Sequence, residues 1–346
     1  MGNVAGRSTV YNRITSDEKM ALVNKENIEL ENDFLEYLQS VDRSVDTIKQ
    51  YKANLHVFWC WNLEYNDNKF FVDLKKRELV RFQNHCINEW GWSPKRTRTV
   101  KATLSSLSNY ISNILDEDFE DFRPIVRKVE NPVNDVVREK TVFTKEELDA
   151  LLGKLVEMKD YEKACLIALA IYSGKRKAEL TRFKVSYFDD ANLICDGAIY
   201  KTPEKIKSKG RGKNGKMIDV YILAKPFKPY FDMWMQDRKE KGIESIWLFP
   251  KIGDPENHVG VTTLDSWVTL INKLIDKPLY LHSLRHYCTS YLLENNIPEA
   301  IVQEYQQWSS SDMVSVYDDR NKELEFEKFF GAEGIKQVEK KGLNSL

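Results

Sequence analysis

Apolar residues recur at helical spacing through the first third of the chain. Between residues 27 and 115 they fall at i, i+3 and i+4, as in Leu30, Phe34 and Leu38, and β-rich runs are few. A stretch of this length with one repeating apolar face is typical of packed helices. The pattern predicts an all-helical domain over residues 27–121, after an N-terminal tail of residues 1–26.

A break in this pattern separates the helical domain from the rest of the chain. Residues 122–142 contain two prolines among mixed charges, a composition typical of an extended linker. Thr144 then stands three residues before Glu147, the order of a capping box, and predicts the start of a helix. We therefore expect a second domain over 143–330 and a C-terminal tail over 331–346.

The second domain is expected to be mainly helical with a small sheet. A nearly continuous apolar segment, 164–171, stops shortly before Gly174 and predicts a buried helix ended by glycine. Short β-like runs at 193–194, 198–200 and 217–223 surround a turn rich in Gly and Lys. The predicted fold class is mainly α with a small antiparallel β-sheet, in two domains.

Composition narrows the class of protein. The chain has 346 residues, of which 42% are hydrophobic and 30% charged, enough to bury the cores of two ordinary domains. No apolar run reaches the roughly 18 residues that a membrane span needs, and the N-terminus lacks an apolar signal core. The five cysteines stand singly, which argues against disulfides and a zinc site. We expect a cytoplasmic protein without a bound metal.

Four short polar motifs follow one another in the second domain. They are Ser173–Leu180 (S-G-K-R-K-A-E-L), Ser208-Lys209-Gly210, Leu281–His286 (L-H-S-L-R-H), and Trp308 followed nine positions later by Tyr317. Their order resembles that of the tyrosine recombinase (phage integrase) family, whose boxes read T-G-x-R-x-x-E-L, a lysine-bearing hairpin, H-x-L-R-H, and His or Trp nine residues before Tyr. The resemblance spans about 143–330. Lys175 and Lys177 depart from the apolar or small residues that are common at those positions.

The resemblance implies a site-specific recombinase that cuts and rejoins DNA through a 3′-phosphotyrosyl intermediate and a Holliday junction. It implies no metal, ATP or other cofactor. The implied catalytic residues are Arg176, Lys209, His282, Arg285, Trp308 and Tyr317, with Glu179 and His286 in support. Taken alone, Tyr317 could be a packed core tyrosine, and Arg176 with Glu179 a surface ion pair. The order of the motifs favours the catalytic interpretation.

The residue types suit this chemistry. Attack on a phosphodiester places extra negative charge on its nonbridging oxygens, which the planar cations of Arg176 and Arg285 can bind by two hydrogen bonds each. The phenol of Tyr317 has an ordinary pKa of about 10 and must lose its proton, for which His282 is the candidate acceptor. Lys209 is the candidate donor to the departing 5′ oxygen.

The hairpin between the first two boxes is strongly basic. Residues 201–216 hold seven Lys and Arg against one Glu. Lys213 and Lys216 therefore remain alternatives to Lys209 as general acid. Residues 210–216 also satisfy G-x-x-x-x-G-K, the opening of a nucleotide-binding loop, but Met217 replaces the hydroxyl residue and a strand follows instead of a helix. We expect the hairpin to contact the DNA backbone.

Double-stranded DNA is the predicted partner, held between the two domains. The predicted fold is thus a two-domain DNA clamp, in which the helical domain is the core DNA-binding domain and the second domain is the catalytic domain that the resemblance implies. Since the net charge is only −1, this prediction rests on where the cations lie. The predicted contacts are Lys49, Lys52, Lys95, Arg96, Arg98 and Lys101 in the helical domain, and Lys207, Arg211, Lys213 and Lys216 in the hairpin. Thr97 and Thr99 lie among them and could read bases.

The C-terminal segment predicts assembly. Residues 324–330 carry Phe326, Phe329 and Phe330 at helical spacing, and the resemblance implies a helix that packs into a neighbouring protomer, giving a homotetramer on DNA. Folding back on its own domain is the alternative. A type IB topoisomerase, a telomere resolvase or a non-catalytic DNA-binding protein would share these motifs wholly or in part. The sequence leaves open the target site, the direction of recombination and any accessory factor.

Overall fold

The computed structural model describes residues 14–133, 141–210 and 215–321, together with 323, 326, 330, 331, 334 and 335. The described residues form two compact units. The first contains 14–133 and the hairpin residues 209, 210, 215 and 216, and the second contains the others. The predicted domain boundaries at 26, 121, 142 and 330 remain predictions.

The first unit is helical. Its helices are α1 (Asp17–Met20), α2 (Lys25–Ser40), α3 (Val45–Tyr65), α4 (Lys76–Asn88) and α5 (Pro94–Ile114). Side-chain caps begin four of them, because the oxygens of Ser16, Asn24, Ser44 and Ser93 accept bonds from backbone N–H groups that have no partner inside the helix. Aromatic rings around the fully buried Phe58 occupy the centre of the core.

Part of the segment predicted as a linker belongs to this core. Val126 and Val129 are 3% and 8% exposed and pack in the first unit, beside a short 3₁₀ turn at Val126–Lys128. Lys101 on α5 donates to the carbonyls of Val129 and Glu130. Residues 126–130 are therefore anchored to α5, which differs from the extended linker expected from the prolines and mixed charges of residues 122–142.

The second unit is built around a central apolar helix. Its helices are α6 (Lys145–Glu157), α7 (Tyr161–Ser173), α8 (Lys177–Leu180), α9 (Ala224–Glu240), α10 (Val261–Ile271), α11 (Leu281–Glu294), α12 (Glu299–Gln306) and α13 (Asp312–Tyr317). The capping box of Thr144 and Glu147 forms as predicted. Every residue from 164 to 171 is buried, and Gly174 ends α7 in the left-handed conformation, which confirms the predicted glycine stop.

Small antiparallel sheets lie between α8 and α10. The strands are β1 (Leu193–Ile194), β2 (Ile199–Lys201), β3 (Ile206–Ser208), β4 (Lys216–Ile218), β5 (Tyr221–Leu223), β6 (Pro250–Lys251) and β7 (Asp254–His258). β1, β2 and β5 form one sheet, with Tyr200 opposite Leu193 and Ile222, while β3 pairs with β4 and β6 with β7. The run predicted over 217–223 is thus divided between two sheets. The helices and small sheets confirm the prediction of a mainly α fold with small antiparallel β-structure.

A third apolar cluster supports the C-terminal part of the second unit. It joins α11, α12 and α13 through residues such as Cys288, Leu292, Val302 and Val314. Beyond α13 the backbone forms the short strands β8 (Phe330–Gly331) and β9 (Gly334–Ile335). Of the three phenylalanines predicted to mediate assembly, Phe326 is 63% exposed and Phe329 lies outside the described residues. No helix in the described ranges is long and apolar enough to cross a membrane.

Candidate active site

The loop after α7 positions the first arginine. Gly174 has φ +61°, so the chain turns sharply before Arg176, which is the N-cap of α8. The backbone N–H of Arg176 donates to Glu179 Oε2 over 2.8 Å, and its Nη1 donates to Glu179 Oε1 over 3.1 Å. One carboxylate therefore fixes both the backbone and the guanidinium of this half-exposed arginine.

Glu179 is buried and charged. It is 1% exposed, and burial by itself raises its pKa. The hydroxyl of Ser208, the backbone N–H of Arg176 and the charges of Lys175 and Arg176 outweigh that effect and hold the pKa below its ordinary value. The interpretation of Arg176 and Glu179 as a plain surface ion pair therefore does not fit this geometry.

Ser208 connects this loop to the basic hairpin. Its hydroxyl donates to Glu179 Oε1, and Arg176 Nη1 donates to Ser208 Oγ over 3.3 Å. Lys209 follows directly in the chain, at the end of β3, and its side chain is exposed. Sequence analysis placed Ser208 beside Lys209 but did not foresee its bond to Glu179.

The second arginine is buried on α11. Arg285 is 1% exposed, its Nη1 donates to the carbonyl of Gly174 over 2.6 Å and its Nη2 to that of Gln306 over 3.3 Å. Its Nε has no partner in the described part of the chain. The guanidinium carbon lies 5.1 Å from the centre of the Trp308 ring and 5.4 Å from that of Tyr317. The Nε N–H of Arg285 thus remains available as a hydrogen-bond donor.

The predicted nucleophile lies at the end of α13 among aromatic rings. Tyr317 is 6% exposed, and its hydroxyl is 3.2 Å from His282 Nε2. The ring centres of Trp308 and His286 lie 4.9 Å and 4.4 Å from that of Tyr317. The indole N–H of Trp308 is buried and, like Arg285 Nε, has no acceptor among the described residues. Two unpaired donors therefore accompany the tyrosine.

His282 is held in its neutral form. Although His282 is exposed by surface area, desolvation of the ring, followed by the neighbours His286, Arg285 and Arg176, lowers its pKa to about 4. All of these causes act in the same direction. A neutral imidazole can accept a proton from Tyr317.

His286 occupies the face of the Tyr317 ring. Its Nδ1 lies 3.0 Å from a carboxylate oxygen of Asp319, two residues after the tyrosine, and the backbone N–H of Asp319 donates to Ser290 on α11. The segment that follows Tyr317 is therefore fixed to α11 at two points. Sequence analysis gave His286 a supporting role but missed Asp319, because nothing in the order of the motifs marks it.

The predicted DNA-contacting residues differ in exposure. Lys49 and Lys52 on α3, Lys95 and Arg98 on α5, and Lys207 and Lys216 in the hairpin are exposed. Arg211 and Lys213 lie outside the described residues. Arg96 is half-buried, with its guanidinium over the Trp92 ring and Nη1 on Asn54.

Lys101 corrects the sequence prediction. It is 5% exposed, and its Nζ donates to Gln83 Oε1 and to the carbonyls of Val129 and Glu130. An ammonium with three protein acceptors has no donor left for a phosphate. Thr97 is likewise fully buried. Both residues face the core side of α5, which the density of cations in the sequence concealed.

A search for metal-binding side chains gives no group of three or more His, Cys, Asp or Glu within the described ranges. The site residues on α8, α11, α12 and α13 instead place cations and N–H donors around a tyrosine.

A family model described as the phage integrase family matches residues 141–323, more than half of the chain. The chain belongs to the phage integrase family.

Individual relatives agree with this assignment. The SPbeta prophage-derived recombinase-like protein YomM of Bacillus subtilis (strain 168) is 27% identical over 277 residues, covering 79% of this chain and 80% of the relative.

Solved structures share the fold. The XerH site-specific recombinase bound to its palindromic difH substrate, in a post-cleavage complex, matches with a TM-score of 0.62 and 18% identity over 92% of this chain and 90% of that one. A lambda integrase tetramer bound to a Holliday junction matches with a TM-score of 0.60 and 14% identity over 84% and 76%.

Proposed function

We propose that this phage integrase family member is a site-specific recombinase that cuts and rejoins double-stranded DNA through Tyr317. The observation that carries the proposal is the 3.2 Å contact of the Tyr317 hydroxyl with His282 Nε2, beside the unpaired donors of Arg285 and Trp308. Membership of the family and the name of the relative YomM support recombination as the outcome.

The scissile phosphate would lie against the guanidinium groups of Arg176 and Arg285. Arg285 Nε and the indole N–H of Trp308 are buried donors that lack an acceptor, and a nonbridging phosphate oxygen is an acceptor of the right kind. Packing and the bonds of Arg285 to two carbonyls hold these donors in place, so they would stabilise the charge that develops in the transition state at little cost in reorganisation.

The cleavage step exchanges one phosphodiester bond for another. The Tyr317 oxygen bonds to phosphorus as the bond between phosphorus and the 5′ oxygen breaks, and the phenol proton passes to His282 Nε2. The product is a 3′-phosphotyrosyl ester and a free 5′ hydroxyl. Because the ester bond is retained, attack by another 5′ hydroxyl rejoins the strand without ATP.

The departing 5′ oxygen needs a proton, and a lysine of the basic hairpin would supply it. Lys209 is the preferred donor, since Ser208 ties the preceding position to Glu179 and Arg176. Lys216 at the start of β4 and Lys213, outside the described residues, are the alternatives. Exchange of each for glutamine, with a substrate whose 5′ leaving group is sulfur, would identify the donor, because a thiolate departs without protonation.

The partner is double-stranded DNA, and the assembly on it would be a homotetramer joined by the C-terminal segment. The structures of XerH with DNA and of the lambda integrase tetramer on a Holliday junction support this for proteins of the same fold. The exposed Phe326 supports a role for the segment in assembly. We expect the protein to be associated with DNA in the cytoplasm. Sedimentation with and without junction DNA tests the assembly.

The decisive experiment is covalent trapping. Tyr317→Phe first selects a binding site from a random duplex library. Wild type is then incubated with that site carrying a nick next to the cleavage point, so that the cut fragment diffuses away and religation stops. Denaturing gels should show a protein–DNA adduct with wild type and none with Tyr317→Phe.

A matched control is available on α11, the helix that carries His282. Tyr291→Phe removes a hydroxyl from the half-buried Tyr291 of α11 and should leave the adduct unchanged. Adduct in Tyr317→Phe would overturn the assignment of the nucleophile. Tight binding without adduct in wild type would favour a non-catalytic DNA-binding protein. Relaxation of supercoiled DNA without strand exchange would favour the topoisomerase.

A further inference from the structure

Lys175 is a buried lysine in the loop between α7 and α8. It is 1% exposed, and its Nζ donates to the carbonyl of Tyr305 over 2.8 Å. The position precedes Arg176, where the family more commonly has an apolar or small residue. Burying an ammonium is costly unless it is well paired, so its presence needs an explanation. In the proposed cleavage mechanism Arg176 and Arg285 bind the phosphate, but Lys175 has no role.

The hydrogen bond of Lys175 is one of several side-chain contacts that join the loop after α7 to the end of α12. The hydroxyl of Tyr305, near the end of α12, donates to the carbonyl of Tyr172 at the end of α7. Arg285 bridges the carbonyls of Gly174 and Gln306. The loop and the end of α12 are thus joined by three side chains, of which Lys175 is the one adjacent to Arg176.

Each of the two joined segments leads directly to a group that would face the phosphate. In the loop after α7, Arg176 is the next residue after Lys175. At the end of α12, Gln307 leaves the helix with φ +56°, and Trp308 follows, three residues after Tyr305. Any shift between the loop and α12 would change the distance between the Arg176 guanidinium and the Trp308 indole.

We propose that Lys175 is a positioning residue for cleavage, which ties the backbone before Arg176 to the end of α12 and so fixes Arg176 relative to Trp308. This inference rests on the proposed function. Lys175 does not touch the phosphate in this scheme. A misplacement of about 1 Å in such a site can cost about a hundredfold in rate.

The charge of Lys175 adds a proton linkage. Burial, then the charge of Arg285, lowers the pKa of Lys175 to about 7, while Glu179 and Cys288 raise it and Arg176 lowers it further. The carbonyl and ring of Tyr305 face it from α12. A phosphate anion bound by the arginines would favour the charged form, so DNA binding near pH 8 should take up a proton at Lys175.

The test compares Lys175→Met with wild type and with Lys177→Met. Lys177 is the first residue of α8, two positions further on, but is partly exposed and paired with Asp265, so it controls for loss of a nearby positive charge. Single-turnover cleavage of the nicked site is measured at saturating protein, with thermal unfolding measured in parallel. We expect the cleavage rate of Lys175→Met to fall about tenfold to a hundredfold without a lower unfolding temperature, and Lys177→Met to cleave like wild type.

Several results would overturn the positioning role or the proton linkage of Lys175. Wild-type rate in Lys175→Met, or a rate loss that follows a lower unfolding temperature, overturns the positioning role. Lys175→Gln keeps an N–H donor toward Tyr305, so its cleavage rate should lie between those of Lys175→Met and wild type. A rate at or below that of Lys175→Met also counts against the positioning role. Calorimetry of DNA binding at pH 8 in two buffers of different ionisation enthalpy measures proton uptake. Wild type should take up a proton that Lys175→Met and Lys175→Gln do not. Equal uptake in these three proteins overturns the linkage. Absence of adduct in wild type would instead reject the proposed function.

Discussion

The hydroxyl of Tyr317 and Nε2 of His282 lie 3.2 Å apart although 35 positions separate them in the sequence. His282 lies in the first turn of α11, and Tyr317 is the last residue of α13. Packing of α13 on α11 through Cys288 and Val314 therefore sets the distance between the predicted nucleophile and its proton acceptor.

Removal of the His282 imidazole should slow cleavage selectively. His282→Ala takes away the proton acceptor and leaves Tyr317, Arg176 and Arg285 in place. General base catalysis typically contributes about 10²- to 10⁴-fold, so we expect a loss in that range in the single-turnover rate, with DNA affinity nearly unchanged. Anisotropy with labelled DNA measures the affinity. A loss below about tenfold would show that another group accepts the proton.

The neutral state of His282 is open to a direct titration. Its pKa of about 4 in the DNA-free protein lies below the ordinary value of about 6.5, so the imidazole should stay neutral throughout the range from pH 6 to 8. Nitrogen-detected NMR of labelled histidines, assigned with His282→Ala, gives the midpoint. A midpoint near 6.5 would contradict the desolvation and the positive surroundings inferred for the ring.

The motifs could be found from the sequence because each depends on residue type and interval. The interval from Trp308 to Tyr317, and that from His282 to Arg285, already placed these residues in one site. The glycine stop at Gly174 and the capping box at Thr144 were likewise local. What the sequence could not give is which backbone carbonyls hold Arg285, since Gly174 and Gln306 meet only through tertiary packing.

Charge density in the sequence was a weaker guide than spacing. Lys95 and Lys101 belong to one run of cations, yet one is exposed and the other is buried beneath residues 129–130. A run of seven residues spans almost two helical turns, so it must place some side chains on the core side of α5. Lys175 was noticed only as a departure from the family, because burial of a lysine cannot be inferred from its neighbours.

Glu179 should stabilise the protein in a pH-dependent way. Glu179→Gln removes the charge that binds Arg176 and Ser208 and is expected to lower the free energy of unfolding at pH 7 by about 1–3 kcal/mol. The folded-state pKa of Glu179 is depressed, so this contribution is full above its unfolded pKa and is lost as the pH falls through the folded value.

Urea unfolding of wild type and Glu179→Gln at pH 7, 5 and 3.5 checks this prediction. The difference between the two proteins should persist at pH 5 and shrink at pH 3.5. Glu157→Gln, at the end of α6, changes the charge equally at an exposed position and should have little effect. A difference that is constant across the three pH values would mean that the charge of Glu179 contributes nothing.

Salt dependence of DNA binding separates the two lysines of α5. Each phosphate contact contributes about 0.9 to the slope of log affinity against log salt concentration. Lys95→Gln should therefore lower the slope by about one and weaken binding, whereas Lys101→Met should leave the slope unchanged while lowering stability. Titrations of the selected site at four salt concentrations give both slopes. An equal decrease in the two variants would mean that Lys101 reaches the DNA.

The glycine at the end of α7 should be required for the Arg285 site. Gly174→Ala puts a side chain at φ +61°, which costs about 1–3 kcal/mol, and its Cβ would lie 2.2 Å from Nε2 of the buried Gln306. Relief of this overlap must displace the side-chain amide of Gln306, which is 1% exposed, or the backbone of Gly174, whose carbonyl accepts a bond from Arg285. We therefore expect lower stability and slower cleavage together.

Gly153→Ala is the matched control for this substitution. Gly153 is exposed within α6, has a negative φ and has nothing within 4 Å of the added carbon, so alanine there should stabilise the helix by about 0.5–1 kcal/mol. Thermal unfolding and single-turnover cleavage of the two variants give the comparison. Equal stability changes, or wild-type cleavage by Gly174→Ala, would mean that the left-handed turn does not hold the loop against Arg285.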